Sequence, residues 1–223
     1  MRKIGTSFNV LHRSFYETYQ YLGFIGKISM LWLLFSIPFI TIGIASSGLI
    51  YSIKCLVDGK DVSINHFFDG IKKYWKASFV LTLIYFIFIV PGVLYFLALL
   101  SFPPLWSKVL GMFVFYLLIL VNVLCLYLFP LMVEQNITNI PVLFKQSFRL
   151  IVENFNFSIN IFIYILVITF LIILFPLLLF IWAGFVGMIT YYSLLSLFSK
   201  YNPEKYNTIL EVNWKGTFKP WES

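Results

Sequence analysis

The sequence predicts an all-helical bundle that crosses a membrane about six times, with a short first hairpin and two or three amphipathic helices on the cytoplasmic face. Three observations lead to this prediction: the scarcity of charge, the long charge-free stretches and the one-sided distribution of basic residues. Of the 223 residues, 61% are hydrophobic and 11% are charged, and the mean hydropathy is +0.91. Because a soluble domain carries about 25% charged residues, we expect one transmembrane domain over residues 1–223.

Four stretches without Asp, Glu, Lys, Arg or His divide the chain. They cover residues 28–53, 77–107, 109–133 and 154–199. About 20 apolar residues span the hydrocarbon core of a bilayer, and a charge inside that core is costly. The second and third stretches each fit one helix, and the fourth is long enough for two.

The first stretch fits either one tilted helix or two short helices broken at Ser36-Ile37-Pro38. Loop charge decides between them, because Lys and Arg near the ends of spans stay in the cytoplasm. Two helices place all 16 basic residues except Lys108 on one side. We therefore predict that both termini are cytoplasmic, with spans at about 22–38, 42–57, 77–101, 107–132, 155–178 and 183–199 and a tail over 200–223.

Three cytoplasmic segments have the apolar periodicity of amphipathic helices. In segment 63–76, Phe67 and Ile71 lie on one helical face and lysines on the other. Similar patterns occur at 141–154 and at 3–20. Such helices lie in the membrane interface, where basic residues attract anionic phospholipid. The predicted lipid-binding or partner-binding face consists of Phe68, Lys72, Lys73, Trp75, Lys76, Lys145 and Arg149.

Two of these segments suggest an internal repeat. Phe67 pairs with Phe144 and Ile71 with Phe148 at a constant offset, and each segment lies between two predicted spans. One interpretation is a parallel duplication of a span, interfacial helix and span, as some transporters have. The other is that any two amphipathic helices align at their best offset.

Few residues in the predicted spans could carry chemistry. All nine acidic residues fall in predicted cytoplasmic segments, and the two histidines have no partners with metal-ligand spacing. We expect no catalytic, cofactor or metal site, and no nucleic-acid partner. Three polar residues within predicted spans, Thr82, Asn122 and Asn160, either bond neighbouring helices or line a cavity.

One part of the sequence resembles a known family. The resemblance is carried by Leu31-Trp32-Leu33-Leu34-Phe35-Ser36-Ile37-Pro38-Phe39-Ile40-Thr41-Ile42-Gly43, Tyr51, Leu56-Val57-Asp58-Gly59, Phe67-Phe68 and Lys72-Lys73-Tyr74-Trp75-Lys76. These residues resemble the YesL-like family, predicted bacterial integral membrane proteins filed as a domain of unknown function. Members are often encoded beside carbohydrate ABC-transporter and sensor genes. The resemblance implies location in the bacterial cell membrane and an accessory role in sugar uptake, and it supplies no catalytic or binding residues.

Two functions follow as expectations. The first is a non-enzymatic accessory protein that binds a membrane transporter or sensor through its spans and interfacial helices. The second is a small solute transporter or channel built on the two repeats, with a path lined by the three polar residues. The sequence leaves open whether the chain forms a homo-oligomer.

Overall fold

The protein is all-helical in the part that the structure, a computed structural model, describes, which comprises residues 7–61 and 63–210. The helices are α1 Ser7–Gln20, α2 Leu22–Ser36, α3 Ile42–Val57, α4 Asn65–Ser101, α5 Leu105–Gln135, α6 Ile140–Glu153, α7 Phe155–Leu174, α8 Leu179–Tyr201 and α9 Pro203–Leu210. A 3₁₀ turn, Pro176–Leu178, precedes α8.

Four helical segments are long and apolar enough to cross a membrane: α4, α5, α7 and the segment Pro176–Tyr201 that contains α8. The chain is therefore a membrane-embedded protein with several spans. Helices α2 and α3 are also apolar but have only 15 and 16 residues. At 1.5 Å per residue each is about 23 Å long, compared with about 30 Å for the hydrocarbon core. Their bounds agree closely with the predicted segments 22–38 and 42–57.

The helix breaks follow local sequence signals. Helix α2 stops at Ser36, before Pro38, and the chain turns through Phe39, which has a positive φ of 53°. Pro103 and Pro104 separate α4 from α5, as predicted, because proline cannot donate a backbone hydrogen bond. Asn136 ends α5 in the left-handed conformation that asparagine tolerates.

The prediction of a separate interfacial helix at 63–76 is wrong. These residues form the first turns of α4, which continues without a break to Ser101. Their apolar face is covered by protein rather than by lipid, because Phe67 and Tyr74 are fully buried. Gly70 of the same face lies directly against Gly48 of α3. This part of α4 therefore packs on α3, and only its opposite side is available to lipid.

Helix α6 matches its prediction as a helix. Asn139 caps it by accepting a hydrogen bond from the Val142 amide, at 3.5 Å, and Pro141 lies in the first turn, where no amide donor is needed. The residues that pack inward are Leu143, Ser147, Leu150 and Ile151. Because α6 is separate whereas 63–76 is part of α4, the two halves of the proposed repeat have different structures, and matched span, interfacial helix and span units are absent from the described residues.

Helix α1 is amphipathic, but it exposes most of its large apolar side chains and covers its charged ones. Of its apolar residues, Phe8, Phe15 and Tyr19 are exposed, whereas Val10 is buried. Its polar side packs inward, where the Arg13 guanidinium lies 4.9 Å from the ring centre of Tyr192 in α8 and pairs with Glu17 at 3.2 Å. The apolar side is thus available to lipid, while the charges are covered by protein. Residues 3–6 of the predicted helix lie outside the described residues.

Close contacts between helices depend on glycine. A Cβ at Gly48 would lie 2.7 Å from the Phe67 carbonyl oxygen, and one at Gly184 would lie 2.5 Å from the Ile25 side chain. Both glycines are therefore positions at which two helices approach closely. Trp32 is likewise a packing residue, since its indole donates to the Ser46 hydroxyl at 3.0 Å.

Candidate functional site

The basic face predicted on 63–76 is exposed on the outer side of α4. Lys72, Lys73 and Lys76 are all exposed, and Trp75 is half-exposed. The ammonium groups lie over aromatic rings, Lys73 at 5.2 Å from the centre of Tyr74 and Lys76 at 5.6 Å from that of Trp75. Cation–π contacts of this kind keep the side chains along the helix surface. The arrangement presents three positive charges together with an indole ring, which suits an interface with anionic headgroups.

The three other members of the predicted face have different surroundings. Phe68 is partly covered, with its ring 6.1 Å from Phe35 of α2. Lys145 and Arg149 are exposed but belong to α6. Arg149 donates to Glu153 at 2.6 Å, and this bond, with a second from the Tyr201 hydroxyl, holds the pKa of Glu153 below its ordinary value. Arg149 is therefore charge-paired, unlike the α4 lysines, for which no ion pair occurs among the described residues.

The three polar residues predicted to line a cavity are not brought together. Thr82 is buried against Gly43 of α3 and donates to the Ser78 carbonyl. Asn122 accepts from the Tyr85 hydroxyl at 3.1 Å, which joins α4 to α5. Asn160 is exposed on α7. Their placement does not support a solute path lined by all three residues. Asn122 does make the interhelical hydrogen bond that is the other expectation for it.

A carboxylate that sequence reasoning placed in a cytoplasmic loop instead joins four helices. Glu134, near the end of α5, pairs with Lys54 of α3 at 3.1 Å, and its side chain is only 7% exposed. The same carboxylate accepts from Tyr191 of α8 at 2.7 Å and from Tyr206 of α9 at 3.3 Å. Lys205 lies 3.8 Å away. We call these five residues the Glu134 cluster.

The Glu134 cluster is a closed network rather than an open site. Lys54 also donates to the backbone carbonyls of Val133 and Glu134, at 3.2 and 3.1 Å. Burial raises the pKa of Tyr206, so its hydroxyl keeps the proton that it donates. The sequence does contain a signal, since Lys54 is a cation in an otherwise apolar helix and such a cation needs an anionic partner. The local sequence pattern does not indicate which acidic residue is the partner of Lys54.

Next to this cluster lies a cleft of about 370 Å³ between α5, α6, α8 and α9. Its buried floor consists of Leu131, Leu150 and Phe198. Its polar walls consist of Gln135, Gln146, Arg149, Glu153, Tyr201, Asn202 and Tyr206. An apolar floor with a few converging polar groups, at this volume, is typical of a small-molecule or headgroup site.

The predicted cytoplasmic tail from residue 200 includes, over 203–210, a helix that packs on the bundle. Residues 211–223 lie outside the described residues.

Comparisons of the chain with protein-family models, with curated proteins and with solved structures found no match. The resemblance to the YesL-like family stays a prediction, and the functional interpretation depends on the geometry given above.

Proposed function

We propose that the protein is a non-enzymatic integral membrane component that binds another membrane protein, with the outer halves of α4 and α5 as the binding surface. These halves, over residues 83–122, form an apolar two-helix arm. Within the arm, the rings of Phe96 and Phe115 stack at 5.4 Å and Gly111 lies against Leu99. Only 6% of the most apolar stretch of α4 is buried, compared with 56% for α8.

One hydroxyl in the arm carries this proposal. Tyr116 is half-exposed, and its hydroxyl has no hydrogen-bond partner within the described part of the chain. It lies eleven residues into α5, about 16 Å from the start of the helix. Water is absent at that depth of a bilayer, whereas a neighbouring helix can provide an acceptor. A lipid tail would cover the ring but leave the hydroxyl unpaired.

The class of partner comes from the family resemblance. It implies a carbohydrate ABC-type transporter or an associated sensor protein, in a bacterial cell membrane. A second copy of this chain is the other occupant that the arm could accept. We further propose that α2 and α3 complete a six-span topology with both termini cytoplasmic, in which Glu134 neutralises the charge of Lys54 near the end of α3.

The topology can be tested by cysteine labelling. In a chain with Cys55 and Cys125 replaced by alanine, a cysteine at the exposed Phe39 position should react with a membrane-impermeant maleimide in intact cells. The reason is that six spans place the turn between α2 and α3 outside. A cysteine at the Lys60 position, between α3 and α4, is the matched control and should react only after permeabilisation. Labelling of both positions only after permeabilisation would contradict six spans.

The partner surface can be tested by site-specific photocrosslinking. A benzophenone amino acid at Tyr116 should give a covalent adduct with another membrane protein in native membranes. The same amino acid at Phe170, an equally exposed apolar residue of α7, is the matched control and should label lipid. We also expect Tyr116→Phe to weaken copurification of the partner about three- to sixteenfold, because one interhelical hydrogen bond contributes about 0.6–1.7 kcal/mol. Adducts with lipid alone at both positions would contradict the proposal.

A further inference from the structure

The cleft beside α6 has opposite charges on its rim. On its rim, the Arg149 guanidinium and the Glu153 carboxylate lie 2.6 Å apart. Arg149 uses only its Nε atom in this pair, and its two terminal amino groups have no hydrogen-bond partner within the described residues. They remain available for an anion, since a guanidinium presents five donors in a fixed plane.

The acceptor side of the cleft is also only partly used. Glu153 accepts from Arg149 and Tyr201, and a carboxylate has about four acceptor positions. The side-chain oxygen of Gln146 is buried and lacks a donor among the described residues. Gln135 and Asn202 add two exposed amides to the walls. The cleft can therefore hold a group that donates several hydrogen bonds and carries a positive charge.

An apolar stripe on α6 begins beside this cleft. Phe148 and Val152 are 61% and 60% exposed, and Phe155 at the start of α7 is exposed as well. Residues three or four apart are neighbours on a helix surface, so Val152 adjoins both Phe148 and Arg149. The stripe thus leads directly to the charged rim. An exposed apolar stripe bordered by charge is typical of a helix at the boundary between lipid and water.

We propose that this cleft binds the headgroup of a zwitterionic phospholipid that has a primary ammonium group, namely phosphoethanolamine. The phosphate accepts from the free amino groups of Arg149, a pairing that guanidinium geometry favours. The ammonium lies against Glu153 and the amide oxygens. The acyl chains follow the apolar stripe over Val152 and Phe148. The inference is independent of the proposed partner binding, which concerns the other end of the bundle's long helices.

The lipid headgroup proposed for the cleft differs from the headgroups that suit the basic face of α4. The α4 lysines offer positive charge alone and suit any anionic headgroup. The cleft pairs one cation with one anion, so an anionic lipid meets the Glu153 carboxylate unfavourably. A choline headgroup has no N–H donors, and therefore cannot bond Glu153 or Gln146. Phosphoethanolamine supplies a phosphate that accepts from Arg149 and an ammonium that donates to Glu153.

Competition between lipids tests the proposal. The full chain is placed in nanodiscs with equal amounts of phosphatidylethanolamine and phosphatidylcholine of matched acyl chains, and retained lipid is measured by native mass spectrometry. We expect the ethanolamine lipid to be preferred about three- to tenfold, as one charge-assisted hydrogen bond at a partly exposed site would give. Glu153→Gln should abolish the preference, while Arg149→Gln should reduce retention of both lipids.

Controls separate this site from general effects. Glu204→Gln removes an exposed carboxylate of α9 that does not line the cleft and should leave the preference unchanged. In nanodiscs that contain phosphatidylglycerol in addition, neutral substitution of Lys72, Lys73 and Lys76 should reduce retention of phosphatidylglycerol only. Equal retention of the two zwitterionic lipids by the unaltered chain would overturn the proposal. So would equal loss in the Glu153 and Glu204 variants, or displacement of the lipid by an equal concentration of soluble phosphoethanolamine.

Discussion

Replacing Glu134 by glutamine is expected to lower the free energy of unfolding by about 3–5 kcal/mol. The substitution leaves the Lys54 ammonium, only 21% exposed, without its carboxylate between α3 and α5. It also weakens the hydrogen bonds from Tyr191 and Tyr206, and so loosens α8 and α9 at once. Reversible unfolding of the protein in mixed micelles, followed by circular dichroism, measures the change.

A double substitution distinguishes the ion pair from simple loss of packing. Replacing Lys54 by methionine and Glu134 by leucine together should restore most of the stability, because a buried pair can be exchanged for apolar residues at little cost. The exposed pair provides the matched control, since Glu153→Gln on α6 should leave unfolding unchanged. Equal destabilisation by the single and double substitutions would contradict the role given to the pair.

Replacing Gly70 by alanine is expected to lower the free energy of unfolding by about 1–3 kcal/mol through overpacking. The added Cβ would lie 2.6 Å from the Cβ of Tyr51 and 3.0 Å from the Cα of Gly48. Neither atom can move without moving α3 itself. The two helices must separate, and the buried faces that meet there, including Phe67, must lose contact. The same unfolding measurement reports the loss.

Gly26 provides the matched control for Gly70. It also lies inside a helix, α2, but a Cβ there meets nothing within 4 Å. Gly26→Ala should therefore leave stability unchanged or raise it by about 0.5–1 kcal/mol, because alanine loses less backbone entropy than glycine. If both substitutions destabilise equally, the close approach of α3 and α4 is not the cause.

The course of the helices could largely be predicted from the sequence, because it depends on local signals. Paired prolines at Pro103 and Pro104 and the proline after Ser36 mark breaks that the structure has. Segment 63–76 shows the limit of this reasoning. Periodicity reports that one face is apolar, but a face covered by lipid and a face covered by α3 have the same pattern. Gly48 and Gly70 were the available sign that another helix approaches closely.

The candidate sites depend on contacts between distant parts of the chain, so less of them could be predicted. The exposure of Lys72 follows from helical spacing alone. The pairing of Lys54 with Glu134 joins residues 80 positions apart, and nothing in either local sequence specifies it. The cleft is less predictable still, because four helices must be in place before its floor and rim exist.

The covering of the α1 charges has a consequence for the order of assembly. Arg13 and Glu17 are covered by Tyr192, which lies in the last long helix of the described chain. Synthesis proceeds from the N-terminus, so α1 leaves the ribosome well before the surface that shields its charges exists. Until α8 is inserted, the stable position of α1 is at the membrane surface, with its charges in water. Helix α1 is thus made before α8 but cannot reach its final place until α8 is present.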